Sequence, residues 1–305
     1  MSSGVDEPAP DAAPAGGASA PGATAAKRTR SAGRNLPAAI GVGVGMGAIV
    51  VLSLFVRREA FVVLAAVAVG YGCLEMVRAF RARHLQVPLL PLVAGTLAML
   101  FGAYFGGGET LFVAYVLTVF AVLGWRLLGV DGTRRSTAGV LPIRDVAGGI
   151  FVVTYGPLLA GFTILMLVAS DGPWRVILFV LLVVASDVGG YASGVFFGKR
   201  PMAPSISPKK SWEGTAGSVV VGAITGALAL PLMLGGPWWG GLVIGVVTVV
   251  VAILGDLSES MLKRDLGIKD MGDLLPGHGG VMDRLDSLLP AAPVVHLLLL
   301  LFLGS

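Results

Sequence analysis

Residues 238–255 read WWGGLVIGVVTVVVAILG, and residues 256–286 continue as DLSESMLKRDLGIKDMGDLLPGHGGVMDRLD. The first stretch is almost wholly apolar and approaches the roughly 20 residues that a helix needs to cross a bilayer. The second stretch carries seven of the chain's 18 acidic residues. Because hydrocarbon does not tolerate such a charged, glycine-rich segment, it must lie in water or line a polar cavity. An apolar span followed directly by this charged segment predicts a helical membrane protein whose functional residues lie at one end of its spans.

The composition of the whole chain agrees with a membrane protein. Hydrophobic residues make up 55% of the 305 residues, the mean hydropathy is +0.85, and only 13% of the residues are charged. That charged share is about half the usual value for a soluble domain. The single cysteine, Cys73, excludes an internal disulfide and a cysteine-based metal cluster. The net charge of +4 is small and forms no basic face clear of the spans, so no nucleic-acid partner is expected.

The apolar segments predict an all-α fold, a polytopic transmembrane bundle of about nine spans. A tail of Ala, Pro, Gly and Ser at residues 1–34 is expected to be disordered and cytoplasmic, because it has too few large apolar residues to fold. We divide the remainder into an N-terminal membrane bundle at 35–170 and a catalytic membrane domain at 171–305. The predicted spans are 36–56, 60–80, 87–106, 110–128, 147–169, 175–197, 215–234, 238–255 and 290–303.

Basic residues predict the orientation of these spans. With the N-terminus in the cytoplasm, all Lys and Arg residues except Arg57, Arg58 and Arg175 fall in cytoplasmic segments. This bias follows the positive-inside rule. It predicts a multi-pass protein of the cell membrane, with the loops 198–213 and 256–289 and the active site on the cytoplasmic side.

Glycine pairs at i,i+4 spacing recur in several spans. Small residues at this spacing let helices approach closely in lipid. We interpret them mainly as packing positions inside one bundle, and a homodimer interface is the alternative. The pairs are Gly41/Gly45, Gly43/Gly47, Gly190/Gly194, Gly194/Gly198, Gly222/Gly226 and Gly241/Gly245.

The acidic segment contains a candidate metal site. Asp283 and Asp286 share a face if their segment is helical, and Asp256 follows the eighth span with Glu259 one turn further on. Oxygen-only ligation suits Mg²⁺, which usually takes one or two carboxylates together with substrate phosphates. We therefore predict that Asp283 and Asp286 hold a metal ion between them, with Asp256 placed to close the site from the other side. The alternative is a set of solvated loop charges paired with nearby basic residues.

Two further segments have the residue types that bind phosphate. The loop Pro276–Gly280 offers backbone N–H groups at Gly279 and Gly280, and His278 as a donor. The segment Ser205–Gly214 combines two lysines with three hydroxyls before a span. A membrane anchor with an interfacial Trp is the alternative for this second segment.

Two acidic residues lie inside predicted spans. Asp187 lies in the last turns of the sixth span, and an intramembrane carboxylate is a functional candidate because its burial is costly. Its expected partners are Lys209 and Lys210 or a cation bound with the substrate. Glu75, in the second span, is the weaker candidate of the two.

These residues resemble the signature of the phosphatidate cytidylyltransferase (CDP-diacylglycerol synthase) family. The resemblance lies in SMLKRD at 260–265, KD at 269–270 and LPGHGGVMDRLD at 275–286. The segments DVGGYASGVFFGK at 187–199 and SPKKSWEG at 207–214 resemble a second region of that family. The first half of the chain is similar only in being a run of spans.

The resemblance implies an integral-membrane enzyme that joins CTP and phosphatidate into CDP-diacylglycerol and pyrophosphate in the lipid bilayer. It also implies Mg²⁺ as cofactor and a monovalent cation such as K⁺ beside it. The catalytic residues would be Asp256, Asp283, Asp286 and Asp187, and the first three would be the metal ligands. The substrate-binding residues would be Ser207, Lys209, Lys210, Ser211, Glu213, Lys263, Arg264, His278, Gly279, Gly280 and Arg284.

Two other functions remain open from the residues alone. One is a cytidylyltransferase for another lipid phosphate. The other is an ion-coupled transporter that would use Asp187, Glu75 and the 256–286 segment as an ion path. A transporter should hold its charges near the membrane midplane, whereas these charges gather at one face. The Asp-Gly-x-x-Ala-Arg pattern that we expect of a CDP-alcohol phosphotransferase does not occur in the sequence.

Overall fold

The computed structural model describes residues 36–130, 143–274 and 279–304. The predicted disordered tail and His278 lie outside these residues. The described chain is almost entirely helical, which confirms the all-α fold class. Its elements are α1 Leu36–Val56, α2 Arg58–Arg81, α3 Leu89–Leu128, α4 Ile143–Val153, a π-helical turn Thr154–Leu158, α5 Leu159–Val168, α6 Gly172–Phe197, β1 Pro201–Ala203, β2 Ser207–Ser211, α7 Trp212–Leu234, α8 Trp238–Asp265, α9 Met282–Leu285 and α10 Leu288–Leu303.

Seven helical segments among the described residues are long and apolar enough to cross a membrane. They make the protein a multi-pass membrane protein, although the predicted number of about nine spans is not confirmed. Large apolar side chains cover much of the outer surface. Phe105, Leu232 and Leu301 are each more than two-thirds exposed, as expected of side chains that face lipid rather than water.

Helix α3 reverses direction near its middle. Gly107 has φ 69° and ψ −158°, a backbone conformation that favours glycine. Gly95 packs against Thr118, although these residues would lie about 34 Å apart in a straight helix. The two halves of α3 therefore lie side by side as a helical hairpin, and they correspond to the two spans predicted at 87–106 and 110–128.

Glycines bring α6, α7 and α8 into close contact. Gly190 faces Ser218 and the backbone of Gly214, while Gly226 lies directly against the backbone of Gly241. These contacts confirm the interpretation of the paired glycines as packing positions for these three helices. The glycines of α1 differ, because no atom of another described helix lies within 4 Å of a Cβ position at Gly41, Gly43, Gly45 or Gly47.

The two predicted cytoplasmic loops contain more regular structure than expected. The segment 198–213 forms an antiparallel hairpin of β1 and β2, and Ser211 caps α7 by accepting a hydrogen bond from the Gly214 N–H at 3.1 Å. Helix α8 continues to Asp265, ten residues beyond the predicted end of its span. The prediction of 256–289 as one loop was therefore wrong for its first ten residues, because polar residues there continue one face of the helix.

The last span is also longer than predicted. Helices α9 and α10 together provide one apolar segment from Met282 to Leu303, so Asp283 and Asp286 lie at its beginning. The helices of Leu36–Ser305 form one compact unit. The proposed division of the membrane part at residue 170 stays a prediction.

Candidate active site

One face of α8 carries four polar side chains beyond its apolar part. Asp256, Glu259, Ser260 and Lys263 follow one another at i, i+3, i+4 and i+7, the spacing of residues that share a helix face. Asp256 is partly exposed, whereas Glu259 and Lys263 are buried. The face therefore begins at an accessible site and continues into the protein.

The accessible part of this face borders a cavity of about 230 Å³. The cavity lies where the C-terminal parts of α6 and α8 meet the β-hairpin and the N-terminal end of α7. Five predicted site residues line it together: Asp187, Lys209, Lys210, Ser211 and Asp256.

Several hydroxyl side chains of the cavity wall were missed from the sequence. Thr215 and Ser218 of α7 lie three residues apart on one face, and Ser186 and Ser287 complete the wall. Their signal is present in the sequence, because hydroxyls at helical spacing extend the Ser211 segment into the following span. Hydroxyls on that face suit hydrogen bonding to phosphate oxygens.

An ion pair crosses the cavity. The Nζ atom of Lys210 lies 2.6 Å from Oδ2 of Asp256, and the two side chains are 25% and 33% exposed. Ser260 Oγ donates to the other oxygen of Asp256 at 3.3 Å. Since an accessible ion pair contributes only about 0–1 kcal/mol, both partners are able to exchange their contact for a ligand at small cost.

Asp283 lies in a buried cluster next to the cavity. Its Oδ1 accepts a hydrogen bond from Lys263 at 2.7 Å, and its Oδ2 accepts from the backbone N–H groups of Met271 and Gly280, both at 2.9 Å. Its side chain is only 6% exposed. Gly279, with φ 79°, provides the turn that brings the Gly280 N–H to this carboxylate. Both oxygens of Asp283 are thus engaged within the protein.

Glu259 and Asp286 are two further carboxyl groups in the same region. The Glu259 side chain is fully buried, and Lys263 Nζ lies 3.2 Å from its Oε1. Apart from this ion pair, the oxygens of Glu259 have no hydrogen-bond partner among the described residues. Asp286 accepts hydrogen bonds from the N–H and Oγ of Ser287 at 2.7 and 3.3 Å. The charge of Asp286 interacts with those of Asp256 and Glu259, so the carboxylates repel one another.

These residues fit a hard cation in their chemistry. The described part of the chain contains no three acidic, His or Cys side chains already close enough to enclose a metal ion. However, the buried carboxyl groups of Glu259 and Asp283 share one lysine, Lys263, and Asp256 and Asp286 add two more acidic side chains to the same region. Oxygen donors of this kind suit Mg²⁺. The three-carboxylate metal site of Asp256, Asp283 and Asp286 stays a prediction.

Several predicted substrate-binding residues support the site without lining the cavity. Glu213 accepts hydrogen bonds from the N–H groups of Lys199 and Arg200 at 3.1 and 3.2 Å, which holds the start of the β-hairpin. Arg264 Nε donates to the carbonyl of Ile206 at 3.3 Å and joins the end of α8 to the hairpin turn.

Ser207 and Arg284 occupy different surroundings. Ser207 begins β2, opposite Ala203 in the hairpin. Arg284 is exposed, and its charge interacts with that of Asp187. Arg284 thus belongs to the electrostatic surroundings of the cavity, while Ser207 has a position in the β-hairpin.

Comparison with known proteins identifies the family. A family model described as "Cytidylyltransferase family" matches residues 37–302. A phosphatidate cytidylyltransferase of Mycobacterium leprae is 42% identical over 292 residues, covering 90% of this chain and 91% of the relative. A protein of the same name from Pseudomonas aeruginosa is 38% identical over 221 residues, covering 69% and 71%. The matches extend well beyond the C-terminal motifs into the first half of the chain, and the chain belongs to the cytidylyltransferase family.

Proposed function

We propose that this protein transfers CMP from CTP to phosphatidate and forms CDP-diacylglycerol and pyrophosphate. The observation that carries the proposal is the accessible cavity in which Lys209 and Lys210 face Asp187 and Asp256. Lysines and hydroxyls bind phosphates, and carboxylates hold the cation that a triphosphate brings with it. The relatives named phosphatidate cytidylyltransferase support the choice of both substrates.

The position of the cavity suits one water-soluble and one lipid substrate. Membrane-spanning helices form its walls, so a phosphatidate headgroup would enter while the acyl chains stay in the bilayer. Its volume of about 230 Å³ lies below the roughly 300–1,000 Å³ of pockets that enclose a whole small ligand. The cavity would therefore hold phosphate groups, and the cytosine and ribose would lie at its mouth.

The charge distribution supports a cytoplasmic site in the cell membrane. The lysines of the β-hairpin and the basic residues at the end of α8 lie in segments that the positive-inside rule assigns to the cytoplasm. CTP would enter the cavity from that side. This orientation also brings phosphatidate from the cytoplasmic leaflet.

The reaction needs positioning and charge neutralisation more than covalent help. An oxygen of the phosphatidate phosphate would form a bond to the α-phosphorus of CTP. The bond between that phosphorus and the oxygen bridging to the β-phosphate would break, and pyrophosphate would leave with the electron pair. Since the attacking phosphate is already an anion, no strong general base is required. Lys209, Lys210 and Ser211 would bind phosphate oxygens and orient the reacting groups.

Mg²⁺ would neutralise the charge that develops on the leaving pyrophosphate. Asp256 and Asp286 are the carboxylates best able to hold it, because Asp256 is accessible and Asp286 has an oxygen not engaged by Ser287. Asp283 would join them only if its contact with Lys263 opens. A monovalent cation such as K⁺ beside this site, and a homodimer, remain parts of the same proposal.

A substrate panel tests the proposal directly. The purified full-length protein in detergent would receive labelled CTP, Mg²⁺ and one lipid phosphate at a time. We expect CDP-diacylglycerol and an equal amount of pyrophosphate with phosphatidate, and no product when EDTA removes the divalent cation. Product with another lipid phosphate but not with phosphatidate would identify the protein as a cytidylyltransferase for that other lipid. Ion flux in liposomes without nucleotide turnover would contradict both.

A further inference from the structure

Glu75, a buried carboxylate of α2, lies against α9. We call Asp283, in α9, and Asp286, directly after it, the motif aspartates. Glu75 is only 2% exposed, although α2 is one of the apolar membrane helices. A carboxylate in such surroundings costs several kcal/mol unless hydrogen bonds or charges compensate it. Its position therefore calls for a specific partner, and that partner comes from the other half of the chain.

The partner is the first residue of α9. Glu75 Oε2 accepts a hydrogen bond from the Met282 N–H at 2.9 Å, across 207 residues of sequence. Asp283 follows Met282 directly, and Asp286 lies one turn further. The carboxylate thus caps the beginning of the helical segment on which both motif aspartates lie.

The same carboxylate also contacts both ends of the segment before α9. A Cβ atom on Gly280 would lie 2.6 Å from Glu75 Oε2, and one on Gly272 would collide with Oε1. Only glycine lets the backbone approach a side chain this closely. Glu75 Oε1 makes no hydrogen bond within the described part of the chain. The contacts of Glu75 therefore concentrate on this segment and on α9.

Two further contacts from earlier parts of the chain also hold the segment around α9. Gly72, one turn before Glu75, leaves room for the side chain of Met282. Tyr155 donates from its hydroxyl to the backbone carbonyl of Asp286 at 3.3 Å. Tyr155 belongs to the π-helical turn, a distortion that often occurs at functional sites. Helix α2 and this turn form the support on which α9 lies.

We propose that Glu75 is a positioning residue of the nucleotidyl-transfer site. Its carboxylate accepts the hydrogen bond from the Met282 N–H and packs against the backbone of Gly272 and Gly280, and so fixes the direction in which Asp283 and Asp286 point. It touches neither substrate nor reacting atoms. The inference rests on the proposed function, since it assigns the motif aspartates to that reaction.

Hydrogen–deuterium exchange of the purified full-length protein tests the contact without any substrate. In Glu75→Ala the amide of Met282 loses its side-chain acceptor, so we expect roughly ten- to hundredfold faster exchange in the peptide that spans 279–287. Glu75→Gln keeps a carbonyl acceptor and should exchange nearly as slowly as the native protein. Met76→Ala is the matched control, because Met76 is the next residue of α2 and fully buried.

Activity assays on the same variants separate positioning from general stability. Glu75→Ala should raise the Mg²⁺ concentration for half-maximal activity several-fold and lower kcat, and Glu75→Gln should restore most of both. Met76→Ala should lower the melting temperature without moving the Mg²⁺ dependence.

Two results would overturn the inference. One is native exchange at 279–287 in Glu75→Ala. The other is faster exchange in every peptide of Glu75→Gln, because this would show a general loss of stability instead of a local contact. This second result tests the inference even if Glu75→Ala does not fold. A wild-type protein without CTP-dependent lipid synthesis would instead contradict the proposed function and leave the exchange result readable.

Discussion

Asp256 and Asp283 were predicted as ligands of one metal ion, yet the structure surrounds them differently. Asp256 borders the cavity and pairs with Lys210 at the edge of solvent. Asp283 is enclosed, and Lys263 and two backbone N–H groups engage its oxygens. Asp256 is able to exchange Lys210 for a ligand. Asp283 instead joins α8, the Gly280 turn and Met271 through its hydrogen bonds. Asp256 is therefore available to a ligand, while Asp283 joins α9 to α8 through Lys263.

Replacement of the two lysines should separate these regions by stability. Lys263→Met leaves Asp283 and Glu259 buried without their cation, and removal of one partner from a buried pair costs about 3–5 kcal/mol. Lys210→Met removes only the accessible pair, which contributes about 0–1 kcal/mol. Thermal unfolding of both purified variants in the same detergent measures the difference. Equal melting temperatures would remove the distinction between the enclosed and the accessible region.

The motif aspartates should separate the same regions by activity. Asp286→Asn removes a charge that would hold the cation, and loss of one such electrostatic contact lowers kcat on the order of 10²–10³-fold. We expect its melting temperature to stay close to native. Asp283→Asn should lower the melting temperature as well as kcat, because Lys263 loses one of its two carboxylate partners. Initial rates and unfolding curves of the two variants test this contrast.

The opposite pattern has a clear meaning. If Asp283→Asn stays as stable as the native protein while Asp286→Asn unfolds, then Asp283 is the ligand and Asp286 the support. Asp283→Glu provides a second measurement, because it keeps the charge but not the length that reaches Lys263 and the two N–H groups. A native melting temperature of Asp283→Glu would also contradict the stabilising role of the Asp283 contacts.

The accessible part of the site could be predicted from the sequence. Lys210 and Ser211 precede a span, and Asp256 follows one, so membrane topology alone brings them to the same side. The enclosed part could not be predicted in this way. Glu75 and Tyr155 reach α9 through packing between distant helices, and no local pattern records such contacts. Sequence reasoning noted Glu75 only because an acidic residue in a span is costly.

The same limit applies to the fold. The all-α class and the segments that become helices follow from apolar runs of sufficient length. The end of α8 at Asp265 did not follow, because its polar residues were interpreted as a loop although Asp256, Glu259 and Lys263 keep helical spacing. A helix is recognised in a sequence mainly by its apolar stripe. The last ten residues of α8 turn a polar side toward buried charged groups, so this stripe is absent there.

The smallest expected effect concerns substrate binding at the accessible ion pair. A hydrogen bond to a charged group contributes about 1.5–3 kcal/mol, so Lys210→Met should raise the KM of the substrate whose phosphate it binds by about tenfold or more. Lys209→Met is the matched control, since Lys209 lines the same cavity while Lys210 keeps its contact with Asp256. We expect a smaller rise in that variant. Separate titrations of CTP and phosphatidate show which phosphate Lys210 holds. If neither KM changes, the β-hairpin only anchors α7. Substrate binding in the cavity would then depend on Asp187 of α6 and Asp256 of α8.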